Sequence, residues 1–283
     1  MKAARPYVIA TFPGAFDHVV LVTETFAIEK ENLRARAYGV IRKALMTSRF
    51  KPGQKLLLRT MAAELGISVT PVREALLQLV SERALVTDSS RSLFVPKLDV
   101  RRFREIRDLR VELEGRAAEA AARLASPADV IALEQLHRTL VQHRHAGNLR
   151  EVSVANEAFH FKIYSMARMP VLYGIIEGLW VQIGPILTKL FEGVDLKDTA
   201  NHAHLGIIAA LRRNDPSTTR LAVANDLILA SRHVEDALIR EQGEAASISL
   251  STEKISPIRR SHSKKRSRIP SSAPRFSGKK AGA

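Results

Sequence analysis

The stretch that decides the fold is residues 55–95, KLLLRTMAAELGISVTPVREALLQLVSERALVTDSSRSLFV. Its first part predicts a helix over Leu58–Leu65 that ends at Gly66, because glycine readily takes the left-handed conformation of a helix terminus. A second helix is predicted over Pro71–Arg83, with Thr70 as N-cap and proline at the first helical position, where a missing N–H costs nothing. The apolar residues of this helix recur at helical spacing along one face: Val72, Ala75, Leu76, Leu79 and Val80.

The end of this stretch predicts a two-stranded β-wing. Two apolar segments, Leu85-Val86 and Leu93–Val95, flank the polar tip Asp88–Ser92. A preceding helix over residues 29–49 carries an apolar stripe and is predicted to pack beneath the helix pair. Two helices at this spacing form either a helix-turn-helix, whose second helix enters the DNA major groove, or an ordinary helical hairpin.

The order of the motifs distinguishes between these two alternatives. The segments Pro52–Leu56, Met61–Ser68 and Thr70–Leu76 together resemble the winged helix-turn-helix of the GntR family of bacterial transcription regulators. The match runs in order from near Leu33 to Lys97. The resemblance implies that the domain over residues 29–97 binds DNA through the following residues: Arg59, Ser68, Thr70, Pro71, Arg73 and Arg91.

Two positions depart from the family pattern. Val69 stands where the family usually has an arginine, and Ser92 stands where the wing usually has a glycine. We therefore expect base reading to depend more heavily on Thr70 and on Arg73, whose guanidinium can form charge-assisted bonds with phosphate or guanine. Arg91 is either a reader of the minor groove or phosphates, or a solvated turn arginine.

The composition restricts the class of protein. The chain has 283 residues, 46% of them apolar, no cysteine and a net charge of +15. The absence of cysteine excludes disulfides and thiolate metal sites and is typical of the reducing cytoplasm, and no apolar run is long enough to predict a membrane span. Residues 1–28 are expected to be either a disordered leader or an over-extended start, with no function assigned. The basic segment 243–283 is expected to be disordered, and is either a solvated end or a phosphate-seeking arm.

Residues 98–242 predict an all-α antiparallel bundle. The predicted helices are 100–124, 127–146, 150–167, 170–192 with a kink at Gly184-Pro185, 201–213 and 216–240. Three segments, Ile106–Glu114, Asn156–His160 and His204–Leu211, resemble the FCD ligand-binding domain of the FadR-like subgroup of GntR regulators. The resemblance implies a homodimer, a palindromic operator and a small effector. Arg110 matches a recurrent family arginine that either pairs with an anionic effector or with Glu114 at i+4.

A possible metal site lies within this predicted bundle. Asn156 and His160 share a helix face at i, i+4, while His204 and Asp226 lie on apolar stripes of later helices. Many FCD domains hold a divalent metal with an Asp-x-x-x-His pair and two later histidines, and these four residues occupy the corresponding positions. Asparagine has replaced the first aspartate and aspartate has replaced the last histidine. The four form either a Zn²⁺, Ni²⁺ or Mn²⁺ site or a hydrogen-bonded polar cluster without metal.

Together these features predict a bacterial, cytoplasmic and nucleoid-associated transcription regulator. It is expected to be a repressor whose affinity for double-stranded operator DNA is changed by an organic acid bound in the bundle. One alternative is a sequence-tolerant nucleoid protein that binds through the basic tail. Another is a metal-dependent hydrolase built on His160, His204 and Asp226, although no nucleophile or general base accompanies them.

Overall fold

The computed structural model describes residues 33–191 and 200–253. The fold is mostly α, as predicted, with a small sheet near the N-terminus and a helical bundle after it. The elements are α1 Leu33–Met46, β1 Lys55–Leu56, α2 Leu58–Leu65, α3 Val69–Ser81, β2 Val86–Thr87, β3 Leu93–Phe94, α4 Val100–Leu124, α5 Pro127–His145, α6 Leu149–Met166, α7 Pro170–Ile183, a 3-10 segment Gly184–Phe191, α8 Ala200–Arg212 and α9 Pro216–Glu253. The predictions for residues 1–28 and for 254–283 lie outside the described residues.

The helix-turn-helix is present, but its second helix begins earlier than predicted. Helix α2 ends at Gly66, which has the expected left-handed conformation at φ 66°. Helix α3 begins at Val69 with Ser68 as its N-cap, so the assignment of Thr70 as the cap was wrong. Pro71 is the third helical residue, which the helix tolerates because N–H groups of the first turn have no intrahelical partner. The helix ends at Ser81, before the predicted Arg83, which has a positive φ of 60°.

The wing has three strands, and the prediction of a two-stranded wing was therefore incomplete. Strand β3 pairs antiparallel with β2, as predicted, and also with β1, giving the order β1-β3-β2. The extra strand places Lys55 opposite Phe94 and Leu56 opposite Leu93. This pairing anchors the wing to the segment that leads into α2.

The bundle confirms the predicted run of helices, with two changes. The predicted helix over 170–192 ends at Ile183 and continues as a 3-10 segment, in accordance with the expected kink at Gly184-Pro185. Pro170–Leu187 is apolar and long enough to span a membrane, but half of it is buried inside the protein, as in a core helix. Helix α9 extends to Glu253, so the helix end near 240 and the start of an irregular tail at 243 were wrong.

A single hydrophobic core connects the two parts of the protein. Its buried members come from α1 and α3 as well as from the bundle helices α4, α6, α7, α8 and α9. The longest bundle helices, α4 and α9, pack against each other, and α6, α7 and α8 surround the space beside them. That arrangement leaves a cavity inside the bundle.

Candidate functional site

The first candidate site is the exposed face of α3. Its buried side chains face α1 and α2, whereas Thr70, Arg73, Glu74 and Leu77 are exposed. These exposed residues follow helical spacing, so they form one surface opposite the core. Arg59 of α2 is exposed as well, and the two helices are joined by a tight turn. The structure thus leaves the predicted DNA-reading side chains open to a partner.

The predicted DNA-binding arginines have no acidic partners among the described residues. Arg59, Arg73 and Arg91 are exposed and form no ion pair within 33–191 and 200–253. The hydroxyl of Ser68 makes no capping bond to α3, although the residue has the extended backbone of an N-cap. Pro71 is half-buried and has no polar side-chain atom, so it offers DNA only an apolar contact. Unpaired guanidinium groups beside a helix N-terminus are suited to phosphate.

The wing tip is held in one conformation by Asp88. Its carboxylate accepts hydrogen bonds from the backbone N–H groups of Ser90 at 2.9 Å and Ser92 at 2.8 Å, and from the Ser90 hydroxyl at 2.7 Å. These bonds, led by that of the hydroxyl, lower the pKa of Asp88. Arg91 sits at the tip with a positive φ of 60°. The left-handed position of the wing therefore falls on Arg91, next to Ser92, where the family pattern has its glycine.

The second candidate site is a cavity of about 540 Å³ within the bundle. One part of its wall is apolar, with residues such as Phe103, Leu140 and Leu187. The predicted effector residue Arg110 and all four predicted metal residues lie in the same wall: Asn156, His160, His204 and Asp226. Helices α4, α6, α8 and α9 bring these five together. The cavity thus offers a polar region beside apolar surface, which is typical of a small-molecule site.

Three of the predicted metal residues form a compact buried cluster. The side chains of His160, His204 and Asp226 place one ligand atom each within 4.8 Å of one another. His160 Nε2 lies 3.3 Å from Asp226 Oδ2, and His204 Nε2 lies 3.9 Å from Asp226 Oδ1. Ligands of a tetrahedral Zn²⁺ lie roughly 3.3–3.6 Å apart. The cluster therefore has nearly the size that a divalent cation needs, and Asn156 is half-buried in the same wall.

The hydrogen bonds around His160 determine which ring nitrogen faces the cluster. The Tyr164 hydroxyl donates its proton to Glu114, and the same oxygen lies 3.2 Å from His160 Nδ1. Since that proton is used, the tyrosine oxygen must accept from His160 Nδ1–H. On the other side of the ring, His160 Nε2 faces the Asp226 carboxylate at 3.3 Å. Either a proton on Nε2 that is donated to the carboxylate or a metal ion held by both groups satisfies this contact.

Burial acts in opposite directions on the two other members of the cluster. It lowers the pKa of His204 to about 3, so this imidazole is neutral at physiological pH, as a metal ligand must be. Burial raises the pKa of Asp226, but the hydrogen bond with His160 and the nearby positive charges outweigh it and keep the carboxylate ionised. Nδ1 of His204 is buried with no hydrogen-bond partner among the described residues. The donor set fits Zn²⁺, Ni²⁺ or Mn²⁺, with His204 lacking the outer-shell partner usual for a metal-bound histidine.

Arg110 forms the predicted pair with Glu114 and also lies in the cavity wall. Its Nε donates to Glu114 Oε1 at 2.6 Å, which is the predicted i, i+4 pair. Its guanidinium also lies 4.5 Å from the ring centre of Trp180 and forms part of the cavity wall. Glu114, fully buried, accepts from Arg110, from Trp180 Nε1 at 3.0 Å and from the hydroxyl of Tyr164. A continuous chain of polar contacts thus runs from Arg110 to His160.

The sequence interpretation missed two residues of this polar network and part of the role of a third. Glu114 was considered only as a partner for Arg110, whereas it also holds Tyr164 and Trp180. Tyr164 follows His160 by four residues, which is a detectable signal for a shared helix face. Trp180 comes from another helix and had no local signal. His233 also lines the cavity, although it lies outside the metal-sized cluster.

Comparisons with known proteins agree with this arrangement of two parts. The family model for bacterial regulatory proteins of the gntR family matches residues 33–95, and the model for the FCD domain matches residues 105–228. The HTH-type transcriptional regulator McbR of Escherichia coli (strain K12) is 35% identical over 187 residues, which cover 65% of this chain and 84% of that protein. The HTH-type transcriptional repressor RspR from the same strain is 22% identical over 210 residues, 73% of this chain and 91% of RspR.

A solved structure supports the same fold. The structure of E. coli McbR/YncC superposes with a TM-score of 0.69 at 31% sequence identity. The match covers 72% of this chain and 98% of that chain. The relatives matched along most of their length are thus transcription regulators rather than enzymes.

Proposed function

The chain belongs to the GntR family of bacterial regulatory proteins, and we propose that it is a homodimeric repressor whose operator affinity is set by a small organic acid in the bundle. It acts in the bacterial cytoplasm on a palindromic site. The observation that carries the proposal is the coexistence, in one chain, of exposed arginines without acidic partners among the described residues and a bundle cavity with a polar region beside apolar surface. The repressor assignment is supported by the similarity to RspR, which is named a repressor.

The DNA-binding part of the proposal is tested with Arg73→Ala. Arg73 is exposed on α3 and unpaired among the described residues, so its loss should leave the fold intact. We expect the affinity for a duplex selected from a random library by the wild-type protein to fall by about 1–3 kcal/mol. Fluorescence anisotropy measures it, and Arg138→Ala, an exposed arginine of α5, is the control. Equal affinities for wild type and Arg73→Ala would refute the assignment of α3 as the reader.

Removal of the basic C-terminal segment separates this function from tail-driven binding in the same titration. A nucleoid-type protein that binds through its basic end would lose nearly all affinity when residues 254–283 are removed. A regulator that reads bases with α3 keeps its preference for the selected duplex over a scrambled one. A truncated protein that binds both duplexes equally would favour the nucleoid alternative.

The effector part of the proposal concerns the polar end of the cavity. His160, His204 and Asp226 would hold the metal, with the Asn156 amide oxygen as a weaker fourth ligand. A bound divalent cation would supply a positive charge that attracts a carboxylate. Arg110, whose charge is balanced by Glu114, adds guanidinium N–H groups to the same wall as donors to a carboxylate, and the apolar lining excludes water from the remainder of the guest. An organic acid with a short apolar body fits these features.

The metal is tested by elemental analysis and by isothermal titration of the metal-stripped protein with Zn²⁺, Ni²⁺ and Mn²⁺. We expect one ion per chain, and a loss in His204→Ala of more than the roughly 10–100-fold that removal of an outer-shell partner costs, because a ligand itself is removed. His233→Ala is the matched control, because His233 lines the cavity outside the cluster. No bound ion in the wild type would leave the hydrogen-bonded polar cluster as the correct interpretation.

The dimer part of the proposal is supported by exposed apolar side chains on the two longest bundle helices. Leu109 of α4 is 47% exposed and Leu221 of α9 is 66% exposed, although α4 and α9 pack against each other elsewhere. We take these two leucines as part of the surface covered by the partner protomer, because apolar patches on a protein surface mark interaction sites. Sedimentation analysis should give a dimer for the wild type and a shift towards monomer for Leu221→Asp, with Ile131→Asp, an exposed apolar residue of α5, as the control. A monomeric wild type would refute the dimer.

A further inference from the structure

The winged helix and the bundle meet at one tight contact. Helix α1, which underlies the helix-turn-helix, packs its C-terminal end on α7 and on the 3-10 segment. Leu45 and Met46 of α1 belong to the same core as Ile183 and Ile186. The docking therefore continues the hydrophobic core from one part of the protein into the other.

Gly184 lies at the centre of this contact and has no room for a side chain. A Cβ atom there would lie 2.6 Å from Met46 Cα, 2.9 Å from the carbonyl carbon of Leu45 and closer still to the Leu45 carbonyl oxygen. The neighbouring atoms are backbone, so they cannot move aside as a flexible side chain would. The backbone of α1 thus rests directly on the backbone of the bundle.

Ser48 holds the same contact from the side of α1. Its hydroxyl donates to the Gly184 carbonyl at 2.6 Å. Ser48 has a positive φ of 56°, a conformation in which glycine would be less strained. A serine at this position accepts local strain and gains a hydrogen bond across the junction, which points to a role for that bond.

The other side of this junction is the cavity wall. Ile183 directly precedes Gly184 and Leu187 follows it three residues later, and both line the cavity. A second connection runs through α6, where Asn156 lines the cavity and the adjacent, buried Glu157 forms an ion pair with Lys43 of α1. A movement of the cavity wall therefore reaches α1 through two contacts, one of them backbone to backbone.

We infer that the Gly184 contact couples the contents of the cavity to the placement of the winged helix. A guest that displaces the turn between α7 and the 3-10 segment moves the end of α1, and with it α3. The inference rests on the proposed function only in taking the cavity as the site of the effector. The residues that transmit the change are Gly184 and Ser48, neither of which contacts the guest.

The test fills the cavity with a side chain, so that no effector needs to be known. Ala230 lines the cavity and is half-buried, and Ala230→Phe narrows the space. Hydrogen exchange of the full chain reports the backbone of α1. We expect Ala230→Phe to change exchange over residues 33–46 about tenfold in the wild type. The same change should appear in a Gly178→Ala background, because a Cβ at Gly178 meets no atom within 4 Å.

In a Gly184→Ala background, exchange in α1 should already be faster and should no longer respond to Ala230→Phe. Unchanged exchange over residues 33–46 on filling the cavity of the otherwise wild-type chain would overturn the inference. So would a response that persists in Gly184→Ala. Hydrogen exchange in these variants involves neither DNA nor an effector, so a failed effector titration would not contradict the inference.

Ser48→Gly provides a milder variant in case Gly184→Ala does not fold. Glycine relieves the positive φ, so the end of α1 should be no less stable, yet the hydrogen bond to Gly184 is lost. We expect the response of α1 to Ala230→Phe to shrink several-fold while the thermal stability stays equal or rises. A role confined to stability would predict no change in the response, and that result would also overturn the inference.

Discussion

The two candidate sites hold their charged groups in opposite ways. In the winged helix, Arg59, Arg73 and Arg91 are exposed and have no acidic partner among the described residues. In the bundle, Arg110 and Glu114 are buried and in contact with each other. The first set is arranged for a large polyanion that supplies the opposite charge from outside. The second is balanced internally before any guest arrives.

This difference predicts which substitutions change DNA affinity and which change the stability of the fold. An exposed unpaired arginine contributes little to the folded state, because solvent screens its charge. A buried charge is different, because removing its partner leaves a desolvated ion behind. Substitutions on the DNA face should therefore change affinity with little effect on folding, whereas substitutions in the bundle network should change both.

The largest expected effect is that of Glu114→Ala. It removes the acceptor of three buried donors and leaves the Arg110 guanidinium without its carboxylate. We expect the free energy of unfolding to fall by about 3–5 kcal/mol, measured by urea denaturation. Glu112→Ala is the control, because Glu112 is exposed and pairs with Arg220 at the surface. Similar losses of unfolding free energy in the two variants would contradict the proposed difference between buried and exposed charges.

A smaller effect is expected for Asp129 on the bundle surface. The hydrogen bond from Lys162, followed by those from Ser126, lowers the pKa of Asp129 to about 2. The stabilisation is therefore complete above the pKa near 4 of the unfolded chain and is lost as the pH falls towards 2. Asp129→Asn should cost about 1 kcal/mol at pH 7, and the two proteins should converge near pH 2 in thermal unfolding.

This acid dependence sharpens the comparison, because Asp129 lies in the bundle but near solvent. A modest loss of stability in Asp129→Asn would indicate that the burial of a charge, and not the domain in which it lies, determines how much stability is lost with it. A difference between Asp129→Asn and the wild type that stays constant from pH 7 to pH 2 would contradict the assigned ion pair.

The smallest expected effect on stability is that of Arg91→Gly. Glycine adopts a positive φ without strain, so the wing should gain up to about 1 kcal/mol. The affinity for DNA should fall at the same time, since a cation at the wing tip is lost. Chemical denaturation and anisotropy with the selected duplex measure the two changes. A variant that is stabilised and binds as before would identify Arg91 as a solvated turn residue.

Local signals sufficed for most of the fold. Gly66 ended α2 as expected, and apolar periodicity located every bundle helix that the structure describes. Strand β1 had no local signal, because two residues, Lys55 and Leu56, pair with residues nearly forty positions later. The start of α3 was ambiguous, since both Ser68 and Thr70 are good N-caps and Pro71 is allowed throughout the first turn.

The candidate site was only partly predictable. His160, His204 and Asp226 were recognisable because polar side chains on apolar helix faces are costly unless partnered. Their distances depend on how α6, α8 and α9 pack, which periodicity does not determine. The same limit explains why Tyr164 and Trp180 were missed as partners of Glu114. The extension of α9 beyond residue 240 went unrecognised because its serine-rich sequence is typical of an irregular end.

The position of Trp180 has an optical consequence. It is the only tryptophan of the chain, and its indole lies in the cavity wall with Nε1–H on Glu114 and the Arg110 guanidinium over the ring. The ultraviolet emission of the whole protein therefore originates mainly at this wall. The wavelength of the emission maximum depends on the electric field of these two charges and on the entry of water. The unlabelled protein therefore reports the binding of a guest in the cavity through its own fluorescence.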